Sequence, residues 1–302
     1  MNNKRIYMAG CGGMLGEAFY LNYKDDYDIE CSDIDQNEDW LNYLDFRDFD
    51  AYEKAVIDFK PDYLFHLGAF TNLEYCEKNA EDTYLTNTLA VENAVIIANK
   101  LDIPILYIST AGIFDGKQNS YDEWDLPNPL GVYARSKYMG ERYVVENAGK
   151  YLVCRAGWMM GGGPKKDKKF ISKMMNQIKE GKKELHIVDD KDGTPTYTHD
   201  FALTVKSLLA KEFWGLYNMV SDGETSRYEV AAELLKILKL NDEINLIQVN
   251  SEYFKDEFFA ERPASERLIN RKLNLRNMNS MRPWQISLEE YINKYYMDFL
   301  DE

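Results

Sequence analysis

A glycine-rich turn near the start of the chain constrains the fold more than any other feature. Residues 9–16 read AGCGGMLG, and they follow a short apolar run at 5–8. The glycines recur at Gly10, Gly13 and Gly16, and an apolar helix-like pattern continues beyond them. A lone glycine pair would indicate only a tight turn, because glycine tolerates positive φ. Strand, glycine turn and helix start together predict a loop that cradles a phosphate with the free N–H groups of the helix.

The composition is that of a globular protein with an acidic surface. The 302 residues are 45% hydrophobic and carry a formal net charge of −15. That charge disfavours nucleic acid and anionic membranes as partners. No apolar run approaches the roughly 20 residues that span a bilayer, and the first strand leaves no room for a signal peptide. Four dispersed cysteines indicate a reducing, cytoplasmic setting, and three scattered histidines favour neither a metal site nor a Ser-His-Asp triad.

The first half of the chain alternates strand-like with helix-like segments. Strands are expected at 5–8, 28–32, 63–67, 103–109 and 151–155, and helices at 13–23, 49–59, 80–100 and 130–147. This alternation predicts an α/β fold with a Rossmann-type, doubly wound parallel sheet that helices cover on both faces. Ligands of such sheets bind outside the carboxyl ends of the strands, where the glycine turn would lie.

The pattern changes after residue 156. Three glycines and a proline at 161–164 interrupt the chain, and a lysine-rich segment follows. Further helices are expected at 169–179, 200–211, 226–238 and 287–299. We therefore predict a dinucleotide-binding domain over 1–156 and a smaller C-terminal α/β lobe over 157–302. The lobe would mainly bind substrate, and some of its segments would return to the first domain.

An acidic residue after the second predicted strand would complete a dinucleotide site. Asp33 lies seventeen positions past Gly16, near the spacing of about 20 residues at which such folds bind the adenosine ribose. Asp35 competes for this role, and a plain surface aspartate is the alternative for either. The charge of Asp33 would repel a 2′-phosphate, and Ile34 supplies no adjacent arginine. NADH is therefore favoured over NADPH.

Tyr133 and Lys137 stand four residues apart on a predicted helix and so share one face. An ordinary helix surface would explain the pair equally well. A lysine cation beside a phenol, however, stabilises the phenolate and lowers its pKa from about 10. Tyr133 would then act as a general acid or base. Ser109 and Thr110 follow an apolar strand, and Thr110 is the preferred residue for bonding a substrate carbonyl oxygen.

Together these motifs resemble the extended short-chain dehydrogenase/reductase family, most closely its dTDP-4-dehydrorhamnose reductases. The likeness covers nearly the whole chain and includes segments at 60–62, 66–71, 109–116, 155–158, 192–196 and 261–268, and Asn87. It implies NAD(P)H-dependent reduction of the 4-keto group of a nucleoside-diphosphate-linked 6-deoxy sugar. This reaction belongs to dTDP-rhamnose biosynthesis for cell-surface polysaccharide. The resemblance also allows a homodimer.

The resemblance assigns roles to individual residues. Thr110, Tyr133 and Lys137 would be catalytic, and Trp158 and Arg262 would join Thr110 in binding substrate. The cofactor would contact Gly10, Gly13, Met14, Leu15, Gly16, Asp33, Asp45, Phe46, Gly68, Ala69 and Phe70, together with Tyr133 and Lys137. The substrate diphosphate needs a basic partner, for which the candidates are Lys165, Lys166, Lys168, Lys169, Arg262, Arg267 and Arg271.

The sequence departs from the family pattern at two positions, and two other functions are alternatives to the reductase. Ala111 stands where the family often has Asp, and Ala134 replaces a common glycine after the tyrosine. An NDP-sugar epimerase or dehydratase would use the same fold and the same tyrosine. A non-catalytic regulatory subunit, like that of methionine adenosyltransferase, would act by binding its partner. The presence of Tyr133 and Lys137 favours an enzyme.

Overall fold

A seven-stranded parallel sheet organises the molecule, as a computed structural model of residues 3–300 shows. The strands are β1 Arg5–Ala9, β2 Asp28–Asp33, β3 Leu41–Tyr43, β4 Tyr63–His66, β5 Ile105–Thr110, β6 Tyr151–Ala156, β7 Trp158–Met160, β8 Glu184–Val188, β9 Asp192–Gly193, β10 Pro195–Tyr197, β11 Gly215–Asn218, β12 Thr225–Ser226 and β13 Asn245–Val249. The sheet order is β11-β6-β5-β4-β1-β2-β3, and every pairing is parallel. The predicted Rossmann-type α/β fold is confirmed.

Helices cover both faces of this sheet. They are α1 Met14–Tyr23, α2 Phe49–Phe59, α3 Leu73–Lys78, α4 Ala80–Tyr84, α5 Ala90–Leu101, α6 Val132–Asn147, α7 Gly163–Lys166, α8 Phe170–Lys179, α9 Thr198–Ala210, α10 Arg227–Ile237, α11 Arg271–Leu275 and α12 Trp284–Tyr295. On one face α1 and α9 pack on Ile6 and Met8. On the other, α2, α5 and α6 pack on Tyr7 and Ala9. Because β1 is buried on both sides from Ile6 to Ala9, those four residues are apolar.

The predicted segments differ from the structure mainly in the helix after β4. The segment expected as one helix over 80–100 is helical throughout, but its residues Leu85–Leu89 form a π-helical turn between α4 and α5. The short edge strands β3 and β11 were not predicted either. Strands of three or four residues carry too little periodicity to be recognised, and they are stabilised by pairing with β2 and β6.

The C-terminal half contributes to two cores. A second core is built from α8, α10 and α12, and the short pairs β7–β10, β8–β13 and β9–β12 lie in the same half of the chain. By contrast, β11 extends the main sheet and α9 packs against α1. The boundary at residue 156 and the homodimer stay predictions.

Two general properties bear on function. No helix within residues 3–300 is both long enough and apolar enough to cross a membrane. Over the same residues, no group of three His, Cys, Asp or Glu side chains is arranged to hold a metal ion. The four cysteines are buried free thiols.

Candidate active site

All sixteen residues predicted for the site line one cleft of about 1700 Å³ between the main sheet and the C-terminal lobe. The carboxyl ends of β1, β2, β4 and β5 open into it, as the fold class requires. Tyr133 and Lys137 line the same cleft as the glycine turn. The residues predicted for the site thus lie together in one cleft, and their binding and catalytic roles stay predictions.

The glycines of the turn meet different steric demands. Gly10 has φ +75°, and a Cβ there would lie 2.3 Å from the Cα of Gly68. A Cβ on Gly16 would lie 2.1 Å from the carbonyl oxygen of Cys11. At Gly13, by contrast, no heavy atom of residues 3–300 lies within 4 Å of the Cβ position, and within this range no side chain caps the start of α1. The free N–H groups of α1 thus face open space, which suits a pyrophosphate.

Asp33 is better placed than Asp35 to contact a ribose. Its carboxylate accepts hydrogen bonds from the N–H groups of Gly12 at 2.8 Å and Asp35 at 2.9 Å, and it lines the cleft. The side chain of Asp35 does not line the cleft and accepts a bond from Asn37 at 3.1 Å. Two backbone bonds leave lone pairs on Asp33 for ribose hydroxyls.

Asp45 and Phe46, which were predicted to contact the cofactor, lie beside an arginine that the sequence analysis did not consider. Arg47 donates to Asp45 at 2.7 Å and also pairs with Asp82 at 3.1 Å. These hydrogen bonds lower the pKa of Asp45. The ring of Phe46 packs on Gly68, where a Cβ would lie 2.2 Å from Phe46 Cε1. The Asp45 carboxylate therefore already accepts hydrogen bonds from Arg47, and the charge of Arg47 is balanced by Asp45 and Asp82.

The helix that carries the catalytic pair is anchored at its first turn and along its buried face. Glu77 on α3 accepts a 2.6 Å hydrogen bond from the N–H of Val132, which caps α6. The Lys137 side chain is buried, with Nζ 4.2 Å from the centre of the Tyr107 ring. The Tyr107 hydroxyl donates to the Lys137 carbonyl oxygen at 3.0 Å. These contacts hold α6 against β5.

Burial controls the acidity of Tyr133 and Lys137. Desolvation raises the pKa of Tyr133 to about 12, although a hydrogen bond with Thr110 acts in the opposite direction. Desolvation lowers the pKa of Lys137 to about 7, against the field of Glu141. The predicted lowering of the Tyr133 pKa by Lys137 is wrong for the protein alone, because desolvation outweighs it. Tyr133 is consequently protonated at neutral pH, as a proton donor must be.

Three polar groups surround one point beside Gly112. A Cβ there would lie 3.2 Å from Glu266 Oε1, 3.5 Å from Thr110 Oγ1 and 4.0 Å from Tyr133 Cε1. Thr110 Oγ1 also accepts the Gly112 N–H at 3.1 Å. The arrangement places two hydroxyl-bearing residues and a carboxylate around the same part of the cleft, where a substrate carbonyl could bind.

A buried amide links the loop after β4 to the helix that carries Tyr133 and Lys137. Asn87, on the π-helical turn, accepts from the Phe70 N–H at 2.8 Å and donates to the Phe70 carbonyl at 3.0 Å. It also donates to Ser136 Oγ at 3.1 Å, and Ser136 donates to the Tyr133 carbonyl at 2.8 Å. Asn87 was noted only as a family match, and the sequence offered no sign of this bridge.

Most of the arginines proposed for the diphosphate are engaged elsewhere. Arg262 lines the cleft but pairs with Glu74 at 2.7 Å and donates to the Ala260 carbonyl at 2.8 Å. Arg267 and Arg271 do not line the cleft, and each pairs with a carboxylate outside it. Arg267 and Arg271 are therefore not positioned to bind a substrate in the cleft.

The lysine segment connects the C-terminal lobe to the glycine turn. Lys166 is buried and donates to the Gly12 carbonyl at 3.0 Å and to Asn37 Oδ1 at 2.8 Å. Lys168 and Lys169 line the cleft, whereas Lys165 does not. Lys166 therefore stabilises the glycine turn and is not part of an exposed, solvated loop.

Two further cleft residues that the sequence analysis did not consider, Glu266 and Arg227, both contact Trp158. The indole N–H of Trp158 donates to Glu266 Oε2 at 2.7 Å. The guanidinium of Arg227 lies 3.7 Å from the centre of the Trp158 ring. Arg227 stands far in sequence from the recognised motifs, and Glu266, although it lies within the segment 261–268, was not singled out there.

The comparison with protein families agrees with this geometry. Residues 4–297 match the model described as the RmlD substrate binding domain. The chain belongs to this family. The family's solved structures include a dTDP-4-dehydrorhamnose reductase from Clostridium acetobutylicum, which is 27% identical with a TM-score of 0.87 and covers 96% of this chain and 99% of that chain. Another, from Bacillus anthracis in complex with NADP, is 25% identical with a TM-score of 0.85, over 97% and 99%.

Curated relatives of the RmlD-type chain carry different names. Spore coat polysaccharide biosynthesis protein SpsK of Bacillus subtilis is 27% identical over 292 residues, 96% of this chain and 97% of that protein. Methionine adenosyltransferase 2 subunit beta of Xenopus laevis is 26% identical over 308 residues, 98% of this chain and 89% of that protein. The resemblance found in the sequence is confirmed, and the two solved reductases belong to the predicted class of nicotinamide-dependent oxidoreductases.

Proposed function

We propose that the chain reduces the 4-keto group of a nucleoside-diphosphate-linked 6-deoxy sugar with NADH or NADPH. The observation that carries the proposal is the meeting of Thr110, Tyr133 and Lys137 in the cleft that contains the glycine turn. The reductase names of the two solved structures support it, at 25% to 27% identity. So does the name of SpsK, which assigns that protein to polysaccharide biosynthesis.

The residues of the cleft fit a dinucleotide. The open space at Gly13 and the uncapped start of α1 would receive the pyrophosphate, and Asp33 would bind the adenosine ribose. When bound, the reduced nicotinamide supplies a hydride to the carbonyl carbon. We favour NADH because Asp33 repels a 2′-phosphate and because Arg47 is already paired with Asp45 and Asp82. The NADP complex of the Bacillus anthracis protein keeps NADPH as the alternative.

The protein's own groups handle the proton. Tyr133, whose pKa is about 12, remains protonated and gives its proton to the substrate oxygen as that oxygen gains electrons. The transfer is favourable because an alkoxide is a stronger base than a phenolate. Thr110 donates a hydrogen bond to the same oxygen, and Lys137 binds the nicotinamide ribose. Solvent then returns a proton to Tyr133, so one proton is consumed in each reduction.

The test is oxidation of NADH and NADPH in the presence of several nucleotide-linked 4-keto sugars. Wild type should turn over at least one of them, and Tyr133→Phe should lose roughly 100-fold or more in kcat with little change in cofactor affinity. Tyr138→Phe is the matched control, because Tyr138 lies on the same helix but does not line the cleft, and this variant should stay active. Equal turnover by Tyr133→Phe would remove the assignment of the acid.

A regulatory, non-catalytic role is the second candidate, because the methionine adenosyltransferase subunit matches 98% of this chain at 26% identity. Such a protein would bind the cofactor without turning over any sugar. Wild type that binds NADH but oxidises it with none of the sugars would favour this role. Co-purification with an adenosyltransferase catalytic subunit would then support it. Epimerisation or dehydration would be recognised by product analysis without net consumption of NADH.

A further inference from the structure

Arg227 is a cleft-lining cation that lacks an anionic partner. In contrast to Arg262 and Arg267, it has no carboxylate oxygen within 4.0 Å among residues 3–300. It is the first residue of α10, so the helix and its capping box at Ser226 fix the position of its backbone. A guanidinium held in a cleft without an ion-pair partner is placed to bind an anionic ligand.

Aromatic side chains hold the guanidinium in place. It lies 3.7 Å from the centre of the Trp158 ring and 5.0 Å from that of Phe170. Burial lowers the pKa of Arg227 to about 10, while the charge of Glu266 opposes this shift. Stacking on rings leaves the N–H groups of a guanidinium available, in the forked geometry that suits phosphate oxygens.

The indole of Trp158 contacts both Arg227 and Glu266, and Glu266 lies beside the proposed reacting point. The indole N–H donates to Glu266 Oε2 at 2.7 Å. Glu266 Oε1 lies 3.2 Å from the position of a Cβ on Gly112, which is close to Thr110 and Tyr133. Arg227 lies over the ring of the same tryptophan. In a nucleotide-linked 4-keto sugar, the diphosphate on C1 and the carbonyl at C4 lie at opposite ends of the sugar ring.

We propose that Arg227 binds the diphosphate of the substrate, the role that sequence resemblance suggested for Arg262. The inference rests on the proposed function for the identity of the sugar, but the chemistry it names is that of a nucleoside diphosphate. Glu266 accepts a hydrogen bond from the indole N–H and so holds the ring on which Arg227 stacks.

The experiment compares binding of dTDP, UDP and their nucleosides by isothermal titration calorimetry. Wild type should bind at least one diphosphate more tightly than its nucleoside. Arg227→Gln should weaken diphosphate binding about 10- to 100-fold, as expected for a lost charge-assisted hydrogen bond, and should leave nucleoside binding unchanged. Arg227→Lys should recover part of the loss. Lys182→Gln, which removes an exposed cleft-lining charge that is not among the candidates for the diphosphate, should have little effect.

Several outcomes would overturn the inference. These are diphosphate affinity in Arg227→Gln within twofold of wild type, an equal loss in Lys182→Gln, or no preference of wild type for a diphosphate over its nucleoside. A parallel loss of NADH affinity would also overturn it, because the residue would then serve the cofactor. Circular dichroism and thermal melting confirm that each variant is folded.

Turnover separates this inference from the proposed function. If wild type reduces a 4-keto sugar and Arg227→Gln keeps the same KM, the inference fails and the function stands. If wild type reduces none of the sugars while diphosphate binding still depends on Arg227, the reduction fails and the inference stands.

Discussion

Gly10 and Gly13 illustrate how one turn serves both folding and binding. Gly10→Ala should lower the thermal midpoint strongly, because the methyl would lie 2.3 Å from Gly68 Cα and the residue has φ +75°. Gly13→Ala adds a methyl where no atom of the described residues lies within 4 Å. Its stability should change by no more than about 1 kcal/mol, the scale of an N-cap substitution. Its NADH affinity should fall, since the methyl occupies the space proposed for the pyrophosphate. Melting curves and fluorescence titration measure both, and unchanged affinity in Gly13→Ala would contradict the proposed phosphate site.

Asp33 should set the choice between the two nicotinamide cofactors. Asp33→Ala removes the carboxylate that would bind the ribose hydroxyls and repel a 2′-phosphate. The ratio of NADH to NADPH affinity should fall, on the order of tenfold for a charged hydrogen bond. Asp35→Ala is the matched control, because that side chain does not line the cleft. An effect of Asp35→Ala equal to that of Asp33→Ala would contradict the assignment.

Deprotonation of Lys137 should give the pH profile of kcat/KM a descending alkaline limb near pH 7. The pKa of Lys137 is about 7, so the ammonium loses its proton as pH rises through 7, and kcat/KM for NADH should fall from pH 6 to pH 8. The pKa values of His66 and His199 are lowered to about 3 and 4, too low to account for such a limb. Lys137→Arg should be slower throughout, yet should lack the limb because a guanidinium remains charged. A limb that persists in Lys137→Arg would belong to another group.

At the scale of secondary-structure elements, a buried ion pair joins α6 to β6. Arg155 bonds both carboxylate oxygens of Glu141, at 2.6 and 3.0 Å, and both side chains are at most 4% exposed. Glu141→Gln should destabilise the protein by about 3–5 kcal/mol, because it leaves a buried arginine without its counter-charge. Glu146→Gln breaks the exposed pair with Arg142 on the same helix and should cost less than about 1 kcal/mol. Urea unfolding distinguishes the two, and equal losses would contradict the role of burial.

The sequence predicted those elements whose signals are local. The apolar run at 5–8 and the helix at 49–59 have strong periodicity and clear ends, and the structure contains both. β3 and β11 could not be predicted, because a strand of three or four residues depends on pairing with a distant partner. The π-helical turn at 85–89 is likewise supported by tertiary contacts, namely those of Asn87 with Phe70 and Ser136.

The same distinction applies to the site. Residues at the ends of strands and on the glycine turn were predictable, because the parallel sheet brings them to one edge. Arg227 and Glu266 reach the cleft from the C-terminal lobe, whose arrangement no short motif encodes. The pKa of Tyr133 was misjudged for a related reason: spacing on a helix indicates a neighbouring lysine, but not how deeply both groups are buried.

For the molecule as a whole, charge is distributed unevenly between the cleft and the remaining surface. The cleft is lined by 11 lysines and arginines and 10 aspartates and glutamates, whereas the chain carries a net charge of −15. The excess negative charge therefore lies outside the cleft. An anionic nucleotide sugar is repelled at long range, but in the cleft where it binds the positive and negative charges nearly balance.

This distribution predicts an unusual dependence on salt. The Debye length shrinks from about 30 Å at 0.01 M to about 8 Å at 0.15 M, so salt screens the distant negative surface more than the contacts inside the cleft. The association rate of dTDP, measured by stopped flow with the cofactor saturating, should rise a few-fold over this range. Thymidine, which is uncharged, should associate at a rate that salt barely changes. A dTDP rate that falls with salt would mean that the basic side chains of the cleft, Arg227 among them, outweigh the net charge even at a distance.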